Sequence, residues 1–103
     1  MLSRQEVKKL LAETKKFIEE ETDSPKGIEY NVRYYADRPS SDYQAKIDSE
    51  VFLPKDLREI MKKRVEALRD ERQYLKPETI RRKDGSERTV FRDLSGRFIK
   101  IWE

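Results

Sequence analysis

The sequence predicts a single α+β domain, residues 1–103, in which two amphipathic helices pack on one face of a mostly antiparallel sheet. Two segments repeat apolar residues with the helical period, and other segments alternate apolar with polar residues as half-buried strands do. Glycine-containing turn signals then divide the last quarter of the chain. The predicted element order is α, β, β, α, β, β, β, and a chain of this length has room for one core.

The first helix has a clear predicted start. Ser3 and Glu6 have the three-residue spacing of a capping box, in which each side chain bonds the other residue's backbone N–H. The helix is expected to run to about Glu21. Its apolar stripe consists of Val7, Leu10, Leu11, Thr14, Phe17 and Ile18.

Two strands are expected next, over residues 28–35 and 43–53. In the first, Ile28, Tyr30, Val32 and Tyr34 alternate with polar residues, which is typical of a strand with one buried face. The second follows a loop containing Pro39 and shows the same alternation. Tyrosine is common in strands and can also stack on nucleic-acid bases.

The second helix is expected to begin at Pro54, because proline suits the first helical position. Its flank carries a basic stripe that includes Arg58, Lys62 and Arg69. Such a stripe is suited to contact a phosphate backbone. Alternatively, these residues form ordinary ion pairs along the helix surface, such as Lys62 with Glu66.

The segment from residue 76 to residue 103 predicts a three-stranded meander. Asp84-Gly85 is the dipeptide favoured in a two-residue type I′ turn, and that turn places Arg81 opposite Arg88. A second turn closed by Gly96 then places Arg92 opposite Phe98. Continuing along the strands, Val90 faces Lys100 and Arg88 faces Trp102.

One face of this meander is predicted to be basic and aromatic. It carries Arg81, Lys83, Arg88, Arg92, Lys100, Phe98 and Trp102. Like charges directly opposite one another destabilise a sheet unless an anion lies between them, and a phosphate is such an anion. The pattern therefore predicts nucleic-acid binding, to DNA or RNA. Two alternatives stay open: the charges merely solvate an exposed face, or the face or a sheet edge binds a protein partner, including a second copy of the chain.

Composition excludes several classes of chemistry. The chain has no cysteine and no histidine, which removes disulfides, zinc fingers, thiol nucleophiles and imidazole bases, so neither an enzyme nor a cofactor is expected. No apolar run reaches membrane-spanning length, so no membrane partner is expected, and a cytoplasmic location is the simplest interpretation. The abundance of Lys, Arg and Glu with few amide side chains resembles the composition of hyperthermophile proteins.

Charge is distributed unevenly along the chain. Residues 1–53 contain nine Lys or Arg against eleven Asp or Glu, a net of −2, whereas residues 54–103 contain fifteen against ten, a net of +5. The basic excess therefore lies in the half that carries the predicted binding face.

Overall fold

The computed structural model describes residues 2–38 and 42–94 in full, and the backbone of 98–99. Four helices come first: α1 (Arg4–Glu21), α2 (Pro25–Asp37), α3 (Tyr43–Asp48) and α4 (Lys55–Glu71). A short 3-10 turn (Arg72–Tyr74) leads into the antiparallel strands β1 (Pro77–Arg81), β2 (Glu87–Arg92) and the two-residue β3 (Phe98–Ile99). The α+β class is confirmed, but the predicted element order is wrong. The predicted meander is reduced to a two-stranded hairpin with a minimal third strand.

Helix α1 forms as predicted. The Ser3 hydroxyl oxygen accepts a hydrogen bond from the backbone N–H of Glu6 at 3.2 Å, and the helix ends at Glu21. Val7, Thr14 and Ile18 form its buried stripe. The N-terminal capping signal therefore places this helix correctly.

The two strands predicted for residues 28–35 and 43–53 are wrong, because these segments contain helices α2 and α3. In α2 the buried residues are Ile28, Val32 and Ala36, which recur every four residues along one helical face. Tyr30, which the strand interpretation placed on the buried face, is 73% exposed. Pro25 lies at the first position of α2, where a proline favours a helix start.

The core lies between the helices. Both α1 and α2 pack on α4, while the shorter α3 closes one end. The buried core cluster includes residues from all four helices: Ile18, Ile28, Val32, Ala36, Tyr43, Ile47, Leu57, Met61, Val65 and Leu68. Burial of these side chains provides the main stabilising term for the bundle.

The hairpin of β1 and β2, residues 77–92, extends from this bundle and is called the arm below. It makes no extensive contact with any helix, and the molecule is elongated, at 51 × 26 × 24 Å. The prediction that both helices cover one face of the sheet is therefore wrong. The helices bury their apolar stripes against one another rather than against the sheet.

Candidate nucleic-acid interface

The turn of the arm differs from the predicted one. Gly85 has a φ of +87°. A type I′ turn also needs a positive φ at Asp84, but no residue other than glycine has a positive φ in the described part of the chain. Instead the Gly85 N–H donates to the Arg82 carbonyl at 3.0 Å, and the Arg82 N–H donates to the Ser86 carbonyl at 2.8 Å. This is a three-residue loop, 83–85, in which Gly85 forms a bulge.

Asp84 stabilises this loop through its side chain. One carboxylate oxygen, Oδ1, accepts hydrogen bonds from the Ser86 hydroxyl at 2.7 Å and from the Ser86 N–H at 2.9 Å. These bonds lower the pKa of Asp84 below its ordinary value, the hydroxyl bond most. The longer loop is therefore held by a local Asx-type contact that the dipeptide signal alone did not reveal.

The extra loop residue shifts the strand register by one. Arg81 lies opposite Glu87, and Ile80 lies opposite Arg88, whereas the predicted register placed Arg81 opposite Arg88. Successive side chains of a strand point to opposite faces of the sheet. A one-residue shift in register therefore changes which side chains of the two strands share a face. Arg81 and Arg88 therefore project from opposite faces of the arm, and their predicted opposition is wrong.

Each face of the arm now mixes polar and apolar groups. One face carries Phe91 together with Arg81 and Glu87, and the other carries Ile80 with Arg88. Both faces remain largely exposed, with only Ile80, Val90 and Phe91 partly buried. No single basic and aromatic face exists in the described part of the arm.

Two of the predicted binding residues are paired within the arm. Arg81 forms an exposed ion pair with Glu87, with Nη2 and Oε1 3.5 Å apart. Arg92 donates from Nε to the Glu78 carboxylate, and its Cα partner on β3 is Phe98, as predicted. These cross-strand pairs link β1 to β2 and stabilise the hairpin modestly.

The remaining basic residues of the arm are Arg82, Lys83 and Arg88, all exposed. Among residues 2–38 and 42–94, no ion pair involves any of the three side chains. They lie in or beside the turn, at the end of the arm furthest along the strands from the bundle. Arg82 was missed by the sequence analysis, since the wrong register placed it away from the basic face.

The basic stripe of α4 makes contacts within the bundle. Arg58 Nη1 donates to the Asp48 carbonyl at 3.0 Å, at the end of α3. Arg69 Nη2 donates to the carbonyls of Tyr35 and Arg38, at the end of α2. Cations at a helix C-terminus satisfy its free carbonyls and complement its dipole. Arg58 and Arg69 therefore join the helices to one another.

Lys62, the third predicted member of that stripe, is also engaged within the bundle. Its Nζ lies 2.7 Å from Asp48 Oδ1 and 3.0 Å from Glu59 Oε1. These hydrogen bonds, with Asp48 first, raise the pKa of Lys62. The predicted pair of Lys62 with Glu66 is replaced by these contacts, since Glu66 instead accepts from the Tyr43 hydroxyl.

A groove of about 920 Å³ opens between α1 and α2, with α4 as its floor. Arg64 lies on this floor and is only 4% exposed. Its guanidinium donates to both carboxylate oxygens of Glu29 at 2.6 and 2.8 Å, to the Leu11 carbonyl at 2.9 Å and to the Thr14 hydroxyl at 3.0 Å. Arg64 therefore links three helices through a bidentate pair and two further bonds.

Sequence analysis missed Arg64, although its position carried a signal. It lies three residues after Met61 and seven after Leu57, and so falls within the apolar stripe of α4. An arginine in such a stripe is buried only when its donors are satisfied. A capable partner was present in Glu29, but its placement depended on recognising α2 as a helix.

Two carboxylates of the groove have opposite pKa shifts. Burial alone would raise the pKa of Glu29, but the hydrogen bond and charge of Arg64, with help from Arg33, lower it. For Glu71, burial raises the pKa, and nearby Asp93 adds to this, while the Leu94 N–H and the charges of Arg33 and Arg64 partly offset the rise. Glu71 Oε2 accepts from Leu94 N at 3.4 Å and so ties the segment after β2 to the bundle.

Three predicted binding groups lie outside the described residues: the Phe98 side chain, Lys100 and Trp102. Within the described ranges, no cluster of three or more acidic side chains could hold a metal ion, and no helix is long and apolar enough to cross a membrane. No family model matches this chain, and neither a curated protein nor a solved structure shows significant similarity to it.

Proposed function

We propose that this chain is a small, non-enzymatic nucleic-acid-binding protein that contacts a duplex through its arm. The observation that carries the proposal is the set of exposed cations at the turn, Arg82, Lys83 and Arg88, which have no ion-pair partner in the described part of the chain. In contrast, Arg58, Lys62 and Arg69 of the bundle are bonded to carbonyls or carboxylates. Free guanidinium and ammonium groups on an exposed ribbon are suited to bind phosphates.

The shape of the arm supports the same proposal. A two-stranded β-ribbon fits into the major groove of B-form DNA, which is about 12 Å wide. Insertion requires that both faces of the ribbon be free, and the arm meets this condition because no helix covers either face extensively. Arg81 and Arg92, paired to Glu87 and Glu78, stiffen the ribbon, while Arg82, Lys83 and Arg88 contact the phosphates.

The proposal changes the predicted site in two ways. It adds Arg82, and it assigns Arg58, Lys62 and Arg69 to contacts within the bundle. Stacking by Phe98 and Trp102 and a phosphate contact by Lys100 stay predictions, and the described part of the structure neither favours nor opposes them.

Salt dependence of binding tests the proposal. Each neutralised phosphate contributes a slope of roughly −0.9 to log K against log salt on B-DNA, so three contacts contribute roughly −3. We expect the variant Arg82→Ala, Lys83→Ala, Arg88→Ala to lose most of its affinity at low salt and to show a slope that is shallower by this amount. Fluorescence anisotropy with labelled duplex DNA, duplex RNA and single strands provides the measurement.

A matched control separates these three residues from net charge. Three lysines are exposed on the bundle: Lys16, Lys55 and Lys63. Replacing all three with alanine lowers the net charge by three, as the first triple variant does. The proposal predicts that this control keeps nearly the affinity and slope of the unchanged protein. Equal losses in the two triple variants, or no binding of the unchanged protein at low salt, would contradict it.

A second candidate function, binding of a protein partner, is favoured by a different observation. Val51 and Phe52 are adjacent apolar residues that are 78% and 82% exposed. The turn between α3 and α4 holds them in place, with Leu53 N donating to the Glu50 carbonyl at 3.0 Å. Fixed, exposed aromatic and aliphatic groups are common anchors of protein interfaces. Under this alternative, binding would depend on Phe52 and change little with salt.

A further inference from the structure

Within residues 2–38, 42–94 and 98–99, strand β1 is an edge of the sheet, because the strand order is β1-β2-β3. The Arg82 N–H donates to the Ser86 carbonyl and the Arg82 C=O accepts from the Gly85 N–H, so both groups point toward β2. The backbone groups of every second residue before it, Ile80 and Glu78, therefore also point toward β2. The backbone groups of Thr79 and Arg81 therefore point away from the sheet. Both residues are exposed, so these donors and acceptors are open to another strand.

The side chains of β1 indicate which strand fits this edge. If two copies pair antiparallel about a twofold axis at Ile80, each Thr79 exchanges two backbone hydrogen bonds with the partner's Arg81. Ile80 then meets the partner's Ile80, and Glu78 meets the partner's Arg82. Apolar and oppositely charged residues directly opposite one another stabilise an antiparallel pair.

The neighbouring register is less favourable. Moving the axis to Thr79 keeps the outward backbone groups in phase but places Glu78 opposite the partner's Ile80. It also places Pro77, which has no N–H, opposite the partner's Arg81. A shift by a single residue is excluded because it would pair side chains from opposite faces.

We propose that two copies of this chain associate through β1 in the register centred on Ile80, which joins their arms into one continuous sheet. The interface is small, so the dimer forms at micromolar to millimolar protein and dissociates on dilution. This proposal does not rest on nucleic-acid binding. Arg82 takes part in both proposals, so the test combines a change at Arg82 with one at Glu78 and is run without nucleic acid.

Charge reversal tests the register directly. In Glu78→Arg the introduced arginine would face the partner's Arg82, and in Arg82→Glu the introduced glutamate would face the partner's Glu78. We expect each variant alone to sediment as a monomer, because like charges meet twice across the axis. An equal mixture of the two variants restores both attractive pairs and should sediment as a dimer.

A backbone test addresses the same edge without changing charge. Thr79→Pro removes one outward N–H but no hydrogen bond between β1 and β2, whereas Thr79→Val keeps the N–H and the β-branched shape. The proline variant is expected to be monomeric and the valine variant dimeric in sedimentation equilibrium at low salt. Circular dichroism and amide NMR spectra establish that each variant retains the hairpin.

Three outcomes would overturn the proposal. The unchanged protein could remain monomeric up to millimolar concentration, which excludes the dimer. The mixed charge variants could fail to associate although the unchanged protein dimerises, which excludes the register. Dimerisation could also survive Thr79→Pro, which excludes the β1 edge. None of these results bears on the nucleic-acid proposal, whose test uses Lys83 and Arg88 as well.

Discussion

The helical bundle and the arm use charged residues in contrasting ways. In the bundle, Arg58, Arg64 and Arg69 are bonded to carbonyls at or near helix ends or to a carboxylate, so they take part in holding the helices together. In the arm, Arg82, Lys83 and Arg88 are exposed and do not take part in an ion pair of the described residues. These three arginines of the bundle are therefore structural, whereas these three cations of the arm are available to a ligand.

The two regions also differ in what stabilises them. The bundle has a continuous apolar core, whereas no helix covers the arm extensively, and the arm depends on its turn, its cross-strand pairs and its attachment to the bundle. Isolated two-stranded hairpins are marginal in water. The Tyr74 hydroxyl donates to the Leu2 carbonyl before β1, and Leu94 bonds Glu71 after β2, so both ends of the arm are tied to the bundle.

The largest predicted effect is the loss of Arg64. Breaking a buried ion pair by removing one partner typically destabilises a protein by about 3–5 kcal/mol. We expect Arg64→Met to fall near the lower end of this range, because it removes the bidentate partner of Glu29 but leaves Arg33 paired with that carboxylate. Urea unfolding followed by helical circular dichroism provides the measurement. Lys63→Met, one position away on the exposed face of α4, is the control and should change stability little.

Removing both partners sharpens this prediction. In the double variant Arg64→Met with Glu29→Met, no carboxylate is left in the groove without its arginine, so part of the lost stability should return. If Arg64→Met alone is no more destabilising than Lys63→Met, Arg64 does not hold the bundle together.

A smaller effect is predicted for the turn of the arm. Gly85 has a φ of +87° and open space where a Cβ would lie, so Gly85→Ala meets no steric contact beyond its own backbone. A residue with a Cβ in this conformation costs about 1–2 kcal/mol. We expect the arm amides to lose hydrogen-exchange protection while the urea transition of the bundle is unchanged. Loss of bundle stability instead would show that the two regions fold as one unit.

A glycine-to-alanine substitution in the bundle should raise stability instead of lowering it. Gly27 lies inside α2 without a positive φ, and a Cβ there would be 3.9 Å from the Ser24 Cβ, an ordinary contact. Gly27→Ala is therefore expected to raise the free energy of unfolding by about 0.5–1 kcal/mol, because alanine loses less entropy in a helix. Thermal unfolding of the two alanine variants side by side compares the regions, and destabilisation by Gly27→Ala would contradict the helical assignment of α2.

The smallest effect concerns pH. Burial raises the pKa of Glu71, so the folded state holds its proton more tightly than the unfolded state, whose pKa is near 4.5. The stabilisation that Glu71 contributes is fully present below pH 4.5 and is lost as pH rises through the pKa of Glu71 in the folded state. Glu71→Gln should therefore be more stable than the unchanged protein above this window, with the difference vanishing at lower pH. A difference in stability that is independent of pH would contradict this.

Sequence patterns located α1 and α4 because their ends carry strong local signals, Ser3 with Glu6 and Pro54. They failed for α2, where Ile28 and Val32 satisfy both a two-residue and a four-residue spacing. Ala36 fits both spacings too, so the sequence signal that favoured a helix was Pro25 at the first helical position. Local alternation was outweighed by the tertiary packing of α2 on α4.

The register of the arm was predicted wrongly, for a local reason. Asp84-Gly85 permits both a two-residue and a three-residue loop, and the choice rests on the bonds from Ser86 to the Asp84 carboxylate. That one-residue difference moved Arg81 and Arg88 to opposite faces and brought Arg82 to the Arg88 face. The positions of charges along a strand could thus be predicted, but not which of them lie together.

An NMR titration with a short DNA or RNA duplex tests the division between bundle and arm most directly. We expect amide shifts on binding to be confined to residues 77–92 and to be largest around Arg82, Lys83 and Arg88, with the amides of α1 and α2 unchanged. Shifts centred on the groove between α1 and α2, or no shifts at low salt, would contradict the assignment of the arm as the nucleic-acid interface.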